Sequence, residues 1–233
     1  MQIKRFKDYY YQIILEDNNL NSSAQKKLIS TPYGLLETAI DQPRSEQNVK
    51  SKGFAILSHP HPLHGGTMEN KVVQTMSRAF AYAGWTVIRF NFRGVGQSEG
   101  QFDNAIGETE DLLNVIKELA PNAPICLGGF SFGAAVTCRA VELLKTTRDI
   151  QKIILIGLAV SRFDSPSIDS KYLFDTLVVH GEDDETVELH HVMAWAKMQT
   201  MPVTVVPQTG HFFHGQLPLL KGLILRHVNS AEY

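Results

Sequence analysis

The sequence predicts an α/β fold in which a mostly parallel central sheet is covered by helices on both faces. Three observations lead there. Short continuous apolar runs alternate with segments of helical periodicity from residue 54 onward, the pattern of strands buried on both faces and joined through helices. The 233 residues are 43% hydrophobic, enough to bury a sizeable core in one domain. Finally, each chemically interesting residue follows an apolar run, at the edge where open parallel sheets collect their ligands.

Taken in order, residues 1–25 are polar and rich in Tyr, Asn and Lys, and read as an N-terminal extension or first edge element, with 26–233 as the single domain. Lys27–Thr31 and Leu35–Ile40 read as strands around the turn Pro32-Tyr33-Gly34, an antiparallel edge, followed by a polar loop over 41–52. Phe54-Ala55-Ile56-Leu57-Ser58 is a buried strand that ends in His59-Pro60-His61-Pro62-Leu63-His64-Gly65-Gly66. Residues 69–83 carry apolar side chains at 72, 73, 76, 79, 80 and 83, a helical stripe closed by Gly84. Trp85–Phe92 is a further strand, and 108–120 a helix whose inner face is Leu112, Val115, Ile116 and Leu119. Beyond residue 150 the reading is strand 152–157, an irregular stretch 158–174, strand 176–180, helix 188–199, strand 203–207 and a helix beginning soon after His211.

The stretch between these halves is the most informative. Pro124-Ile125-Cys126-Leu127-Gly128-Gly129-Phe130-Ser131-Phe132-Gly133-Ala134-Ala135-Val136 reads as strand, sharp turn and helix. A serine in such a turn needs small residues two before and two after it, so that the backbones can approach. Gly129 and Gly133 meet the requirement, which makes Ser131 a candidate nucleophile and the Phe132 amide a candidate oxyanion donor. Gly96-Gln97-Ser98-Glu99-Gly100 has the same spacing, but lies beyond the end of a strand and is followed by Gln101-Phe102-Asp103-Asn104, so Ser98 reads as loop. Gly94-Val95-Gly96 begins a dinucleotide fingerprint that fails at Glu99, so no cofactor is expected.

Composition excludes several classes. Lys and Arg total 22 against 24 Asp and Glu, a net charge of −2, and the cations are scattered, so nucleic acid is not an expected partner. No apolar run approaches the roughly 20 residues that cross a bilayer, and Lys7, Asp8, Glu16 and Asp17 interrupt the N-terminal segment. The expectation is a cytoplasmic protein without a membrane partner; oligomeric state is not readable. Cys126 and Cys138 read as small core residues.

A serine hydroxyl needs a base to take its proton, and the base an acid to orient it. Val178-Val179-His180-Gly181-Glu182-Asp183-Asp184-Glu185 supplies carboxylates past one strand end, and Val206-Pro207-Gln208-Thr209-Gly210-His211 a histidine past the next. The order is serine, acid, histidine. Together with the elbow, His-Gly-x-x-Asp at 180–184 and Gly-His-Phe-Phe-His-Gly at 210–215, this order resembles the α/β-hydrolase superfamily. Its small, lidless, dienelactone-hydrolase-like branch of bacterial serine hydrolases is similar in His59–Gly66, in Arg89-Phe90-Asn91-Phe92-Arg93-Gly94-Val95-Gly96 and in the elbow, from about residue 27 onward.

The resemblance implies an α/β-hydrolase fold and a triad of Ser131, Asp184 and His211, with Asp183 and then Asp164 as the other candidate acids and His214 as structural. It puts the second oxyanion amide in the loop after residue 58, where Pro60 and Pro62 lack an N–H and His61 does not. It implies no lid domain, because only residues 158–175 separate the two strands between which lids are inserted. Dienelactone hydrolases proper use cysteine where this chain has Ser131, which favours general ester hydrolysis. The expected substrates are small soluble esters, with water as co-substrate and Phe163, Phe212 and Phe213 lining an apolar wall. A thioesterase or amidase on the same triad is the near alternative, and a non-catalytic binding module the distant one. His59, His61 and His64 have a spacing that permits metal ligation, but without a carboxylate or a separated fourth ligand no metal is expected.

Overall fold

The computed structural model describes residues 24–44 and 51–230. The expectation for residues 1–25 lies almost entirely outside these, as does the centre of the 41–52 loop. Among the described residues eight strands form one sheet: β1 (Gln25–Thr31), β2 (Gly34–Asp41), β3 (Phe54–Ser58), β4 (Thr86–Phe90), β5 (Ile125–Phe130), β6 (Ile150–Ile156), β7 (Thr176–Gly181) and β8 (Val203–Val206). Their spatial order is β1-β2-β4-β3-β5-β6-β7-β8. The first two form a hairpin in which Thr31 faces Gly34, β2 runs antiparallel to β4, and every later pair is parallel.

Side chains alternate between two cores, as a pleated sheet buried on both faces requires. Ile56, Leu127, Ile153 and Leu155 face one core, together with α2 (Ile106–Leu119), α3 (Phe132–Leu144) and α4 (Leu189–Lys197). Ala55, Leu57, Cys126, Ile154 and Ile156 face the other, covered by α1 (Lys71–Tyr82) and α5 (Leu217–Val228). Between β6 and β7 the chain forms only a short 3₁₀ turn, Ser170–Asp175, so no lid domain is inserted there. Among the described residues no helix is long and apolar enough to cross a membrane.

The strand predicted over 85–92 is shorter, because its last residues are drawn to side-chain partners instead of a ladder. The Asn91 side chain donates to Glu37 Oε2 at 2.8 Å and accepts from Met68 N at 2.9 Å. The Phe92 amide donates to the His59 ring at 3.0 Å. Helix α1 likewise starts at Lys71 instead of Glu69, since the Asn70 side chain accepts from Val72 N at 2.9 Å and caps it. Arg89, fully buried, donates to Asp41 at 2.8 Å and to Glu69 and Met68 O at 3.0 Å. A buried guanidinium is tolerated only with partners of this kind.

Strand β3 lies between β4 and β5, so the chain turns one way after β3 and crosses back to reach β5. This reversal opens a crevice at the carboxyl ends of β3 and β5, the usual place for a ligand in an open α/β sheet.

Candidate active site

Strand β5 is buried throughout and delivers the chain into Ser131, whose backbone has φ 57° and ψ −116°. Such a conformation costs of order 1–3 kcal/mol and persists only where the surroundings enforce it. They do so here: the Ser131 amide donates to Ile156 O of β6 at 2.8 Å, and Ala134 N returns to Ser131 O at 3.0 Å. A Cβ on Gly129 would overlap the Gly133 carbonyl, and one on Gly133 would overlap the Ser58 and His59 carbonyls. The serine is thus lifted to the sheet edge by two close backbone contacts that only glycine permits.

His211 stands in the turn after β8, 2% exposed. Its Nε2 lies 2.9 Å from Ser131 Oγ and its Nδ1 2.7 Å from Asp184 Oδ2. With the proton on Nδ1, the ring donates to the carboxylate and accepts from the hydroxyl. Phe130 packs on the ring at a centroid distance of 4.8 Å. On another side is Gly157, with φ 54°, where a Cβ would stand 3.1 Å from His211 Cε1. The sequence reading missed Gly157; a glycine ending the apolar run 150–156 was the available signal.

Asp184 is 4% exposed and fully used. Its Oδ1 accepts from Thr186 N at 2.9 Å and Val187 N at 2.8 Å, which fixes the turn after β7. Burial pushes its carboxyl pKa up, but the His211 hydrogen bond and charge and the Val187 amide outweigh burial and hold it below the ordinary value. His180 backs it, with Nε2 2.8 Å from Val187 O and 3.4 Å from Asp184 Oδ2. Burial lowers the pKa of that imidazole, against the opposing pull of the Val187 carbonyl and Asp184. Of the other candidate acids, Asp183 is exposed and Asp164 pairs with Arg139 at 3.1 Å, so neither meets His211.

The loop after β3 is pinned from beneath. His59, fully buried, has Nδ1 2.6 Å from Pro60 O, while Nε2 accepts from Phe92 N. Burial lowers its pKa to about 4. Both ring nitrogens are committed to backbone, so His59 has no lone pair for a metal. Above it, His61 caps a 3₁₀ turn, Pro62–His64: its ring accepts from Leu63 N at 3.1 Å and its carbonyl from His64 N and Gly66 N.

Ser131, Phe132, His61 and His211 line one cleft of about 300 Å³, together with Phe163, Phe212, His64 and Arg162. The Phe132 amide is the first of α3 and so has no intrahelical acceptor. Phe212 is 42% exposed and stands edge-on to His211 at 5.2 Å. Phe213 corrects the expected wall: it has φ 53° and is fully buried against the core under α5, because the turn sends successive side chains to opposite sides. His214 is exposed and outside the cleft. Among the described residues no cluster of three His, Cys, Asp or Glu could hold a metal ion.

The family model described as serine aminopeptidase, S33 matches residues 61–169, a span that contains Ser131 but stops before Asp184 and His211. A Rickettsia prowazekii protein described only as uncharacterized is 36% identical over 151 residues, 60% of each chain. The chain thus spans about three fifths of the length of that relative. Among solved structures, XC6422 from Xanthomonas campestris, described as an α/β serine hydrolase without lid, is 34% identical, with TM-score 0.79 over 90% of this chain and 97% of that one. An α/β serine hydrolase homologue from Coxiella burnetii is 36% identical, with TM-score 0.73 over 87% and 96%.

Proposed function

The chain belongs to the α/β-hydrolase superfamily, with the serine-hydrolase type of that fold, and from this premise we propose that it hydrolyses small carboxylic esters through Ser131, His211 and Asp184. The observation that carries the reading is one imidazole hydrogen-bonded at the same time to a strained, cleft-facing serine and to a buried carboxylate.

His211 Nε2 takes the proton of Ser131 Oγ as the oxygen attacks the ester carbonyl. The amides of Phe132 and His61 hold the resulting oxyanion, and Asp184 stabilises the imidazolium. Collapse of the tetrahedral intermediate breaks the bond to the alcohol, which leaves with the proton from His211. Water then attacks the acyl-serine with His211 again as base, and the acid is released as Ser131 regains its proton. The cleft of about 300 Å³, with no inserted lid domain, favours small soluble substrates over lipid aggregates.

The family model's description favours a second reading, cleavage of an amide at a peptide amino terminus. The cleft argues against it: among the described residues none that lines it is acidic, so they offer a terminal ammonium no counter-charge there. The test is turnover of 4-nitrophenyl acetate to octanoate beside aminoacyl-4-nitroanilides, with a fluorophosphonate adduct measured by intact mass. Ester turnover and a single adduct, both absent in Ser131→Ala, are expected. Anilide turnover exceeding that of the esters would make amide cleavage the principal reaction, and a folded protein inert to all of them would overturn the hydrolytic reading.

A further inference from the structure

We propose that the substrates of this cleft carry a carboxylate on the far side of the scissile ester, and that Arg162 is its principal partner. The inference rests on the hydrolytic reading above and names the class of ester within it.

The lining of the cleft has one sign of charge. Among the described residues, Arg162, His61, His64 and His211 are its titratable members, and no Asp or Glu lines it. Two carboxylates adjoin its lining residues without being part of the lining: Asp184 is buried and accepts from Thr186, Val187 and His211, and Glu185 accepts from the His211 amide at 3.4 Å. Asp164, two residues from Arg162 in the chain, is held by Arg139. Arg162 is exposed, and its Nη2 donates to the Thr186 carbonyl at 3.2 Å, which ties the guanidinium to the turn carrying the acid. Among the described residues no carboxylate stands within ion-pair range of it.

The charge reaches across the cleft. His61 is disfavoured as a cation first by its burial and then by the positive fields of His64 and Arg162. Rings of His61 and His64 meet edge to face at 4.5 Å, and His61 lies 5.5 Å from Phe163, the neighbour of Arg162. An unneutralised guanidinium, anchored through one nitrogen on the Thr186 carbonyl, presents a planar fork that matches a carboxylate. The same field draws anionic substrates to the mouth and repels cationic ones. Phe132, Phe163 and Phe212 line the same cleft and give it an apolar wall beside the serine and that charge.

The test uses two matched pairs of esters. In the first the charge is on the acyl part: mono(4-nitrophenyl) adipate against 4-nitrophenyl hexanoate. In the second it is on the alcohol part: 4-carboxyphenyl acetate against methyl 4-acetoxybenzoate. The readout is the ratio of kcat/KM within each pair for wild type, Arg162→Gln and Arg162→Lys, at low and at 0.5 M salt. In wild type at low salt, one pair is expected to favour its anionic member by about two- to fivefold, the upper part of the range of an exposed ion pair. High salt and Arg162→Gln should each erase that ratio, and Arg162→Lys should retain part of it. Ratios near one in both pairs, or a ratio unmoved by Arg162→Gln, would overturn the inference while leaving the hydrolytic reading intact. Wild type inert toward all four esters would remove both.

Discussion

Two stretches of this chain share one spacing, Gly-x-Ser-x-Gly, and do opposite things with it. At 129–133 the serine is at φ 57° between a buried strand and a buried helix, with its hydroxyl on His211. At 96–100 the hydroxyl of Ser98 is turned inward, donating to Asn91 O at 2.7 Å and accepting from Glu37 N at 2.9 Å. One serine presents its oxygen to the cleft; the other ties β2 to the end of β4. The pattern specifies only that backbones come close. The residues beyond the second glycine, helical at one site and irregular at the other, decide which way the hydroxyl faces.

The contrast is tested most directly at the serines. Ser131→Ala should lower kcat by roughly 10⁴-fold or more with an unchanged unfolding midpoint, whereas Ser98→Ala should retain kcat within about an order of magnitude; steady-state kinetics beside thermal melts checks both. A deep loss of turnover in folded Ser98→Ala would erase the distinction. The glycines come next. Gly133→Ala drives a methyl into two backbone carbonyls and should cost about 3 kcal/mol or more. Gly100→Ala, with φ 90° and only the Arg93 Cβ nearby at 3.2 Å, should cost about 1–2 kcal/mol. Urea denaturation of the pair gives the difference.

The two regions meet at His59, whose ring accepts from Phe92 N on one side while the cleft loop continues on the other. Its folded pKa of about 4 lies below the unfolded value of 6.5, so the folded state resists protonation. The stability this contributes is complete above pH 6.5 and is lost as pH falls toward 4, by at most about 3 kcal/mol. Denaturation curves at pH 7, 5.5 and 4 should show a steeper pH slope for wild type than for His59→Gln, by up to one proton; equal slopes would mean that the ring titrates normally. Ser98→Ala should also cost stability, about 1–3 kcal/mol for two buried hydrogen bonds, read from the same melts.

Much of the fold was legible because parallel strands buried on both faces leave continuous apolar runs, and β3 spans the predicted residues. The candidate site was legible to the extent that each member follows a strand: Ser131, Asp184 and His211 could be named, and their hydrogen bonds then measured. The features that stayed hidden in the sequence depend on distant partners. Arg89 reads as an interruption of a strand until Asp41 and Glu69 are beside it. Phe212 and Phe213 are indistinguishable in sequence, yet one faces the cleft and the other the core. Gly157 matters because of an imidazole 54 positions later, and Arg162 because the carboxylate two residues on pairs with Arg139.

The hydrogen bond between His211 and Ser131 closes a loop of 80 residues, while the elbow itself is local. During synthesis the strand, turn and helix around Ser131 emerge well before the turn that carries the base. Until β8 has docked beside β7, Ser131 Oγ lacks the hydrogen bond to His211. On the hydrolytic reading, its activation is therefore a late product of folding, acquired only when the C-terminal strands close the sheet.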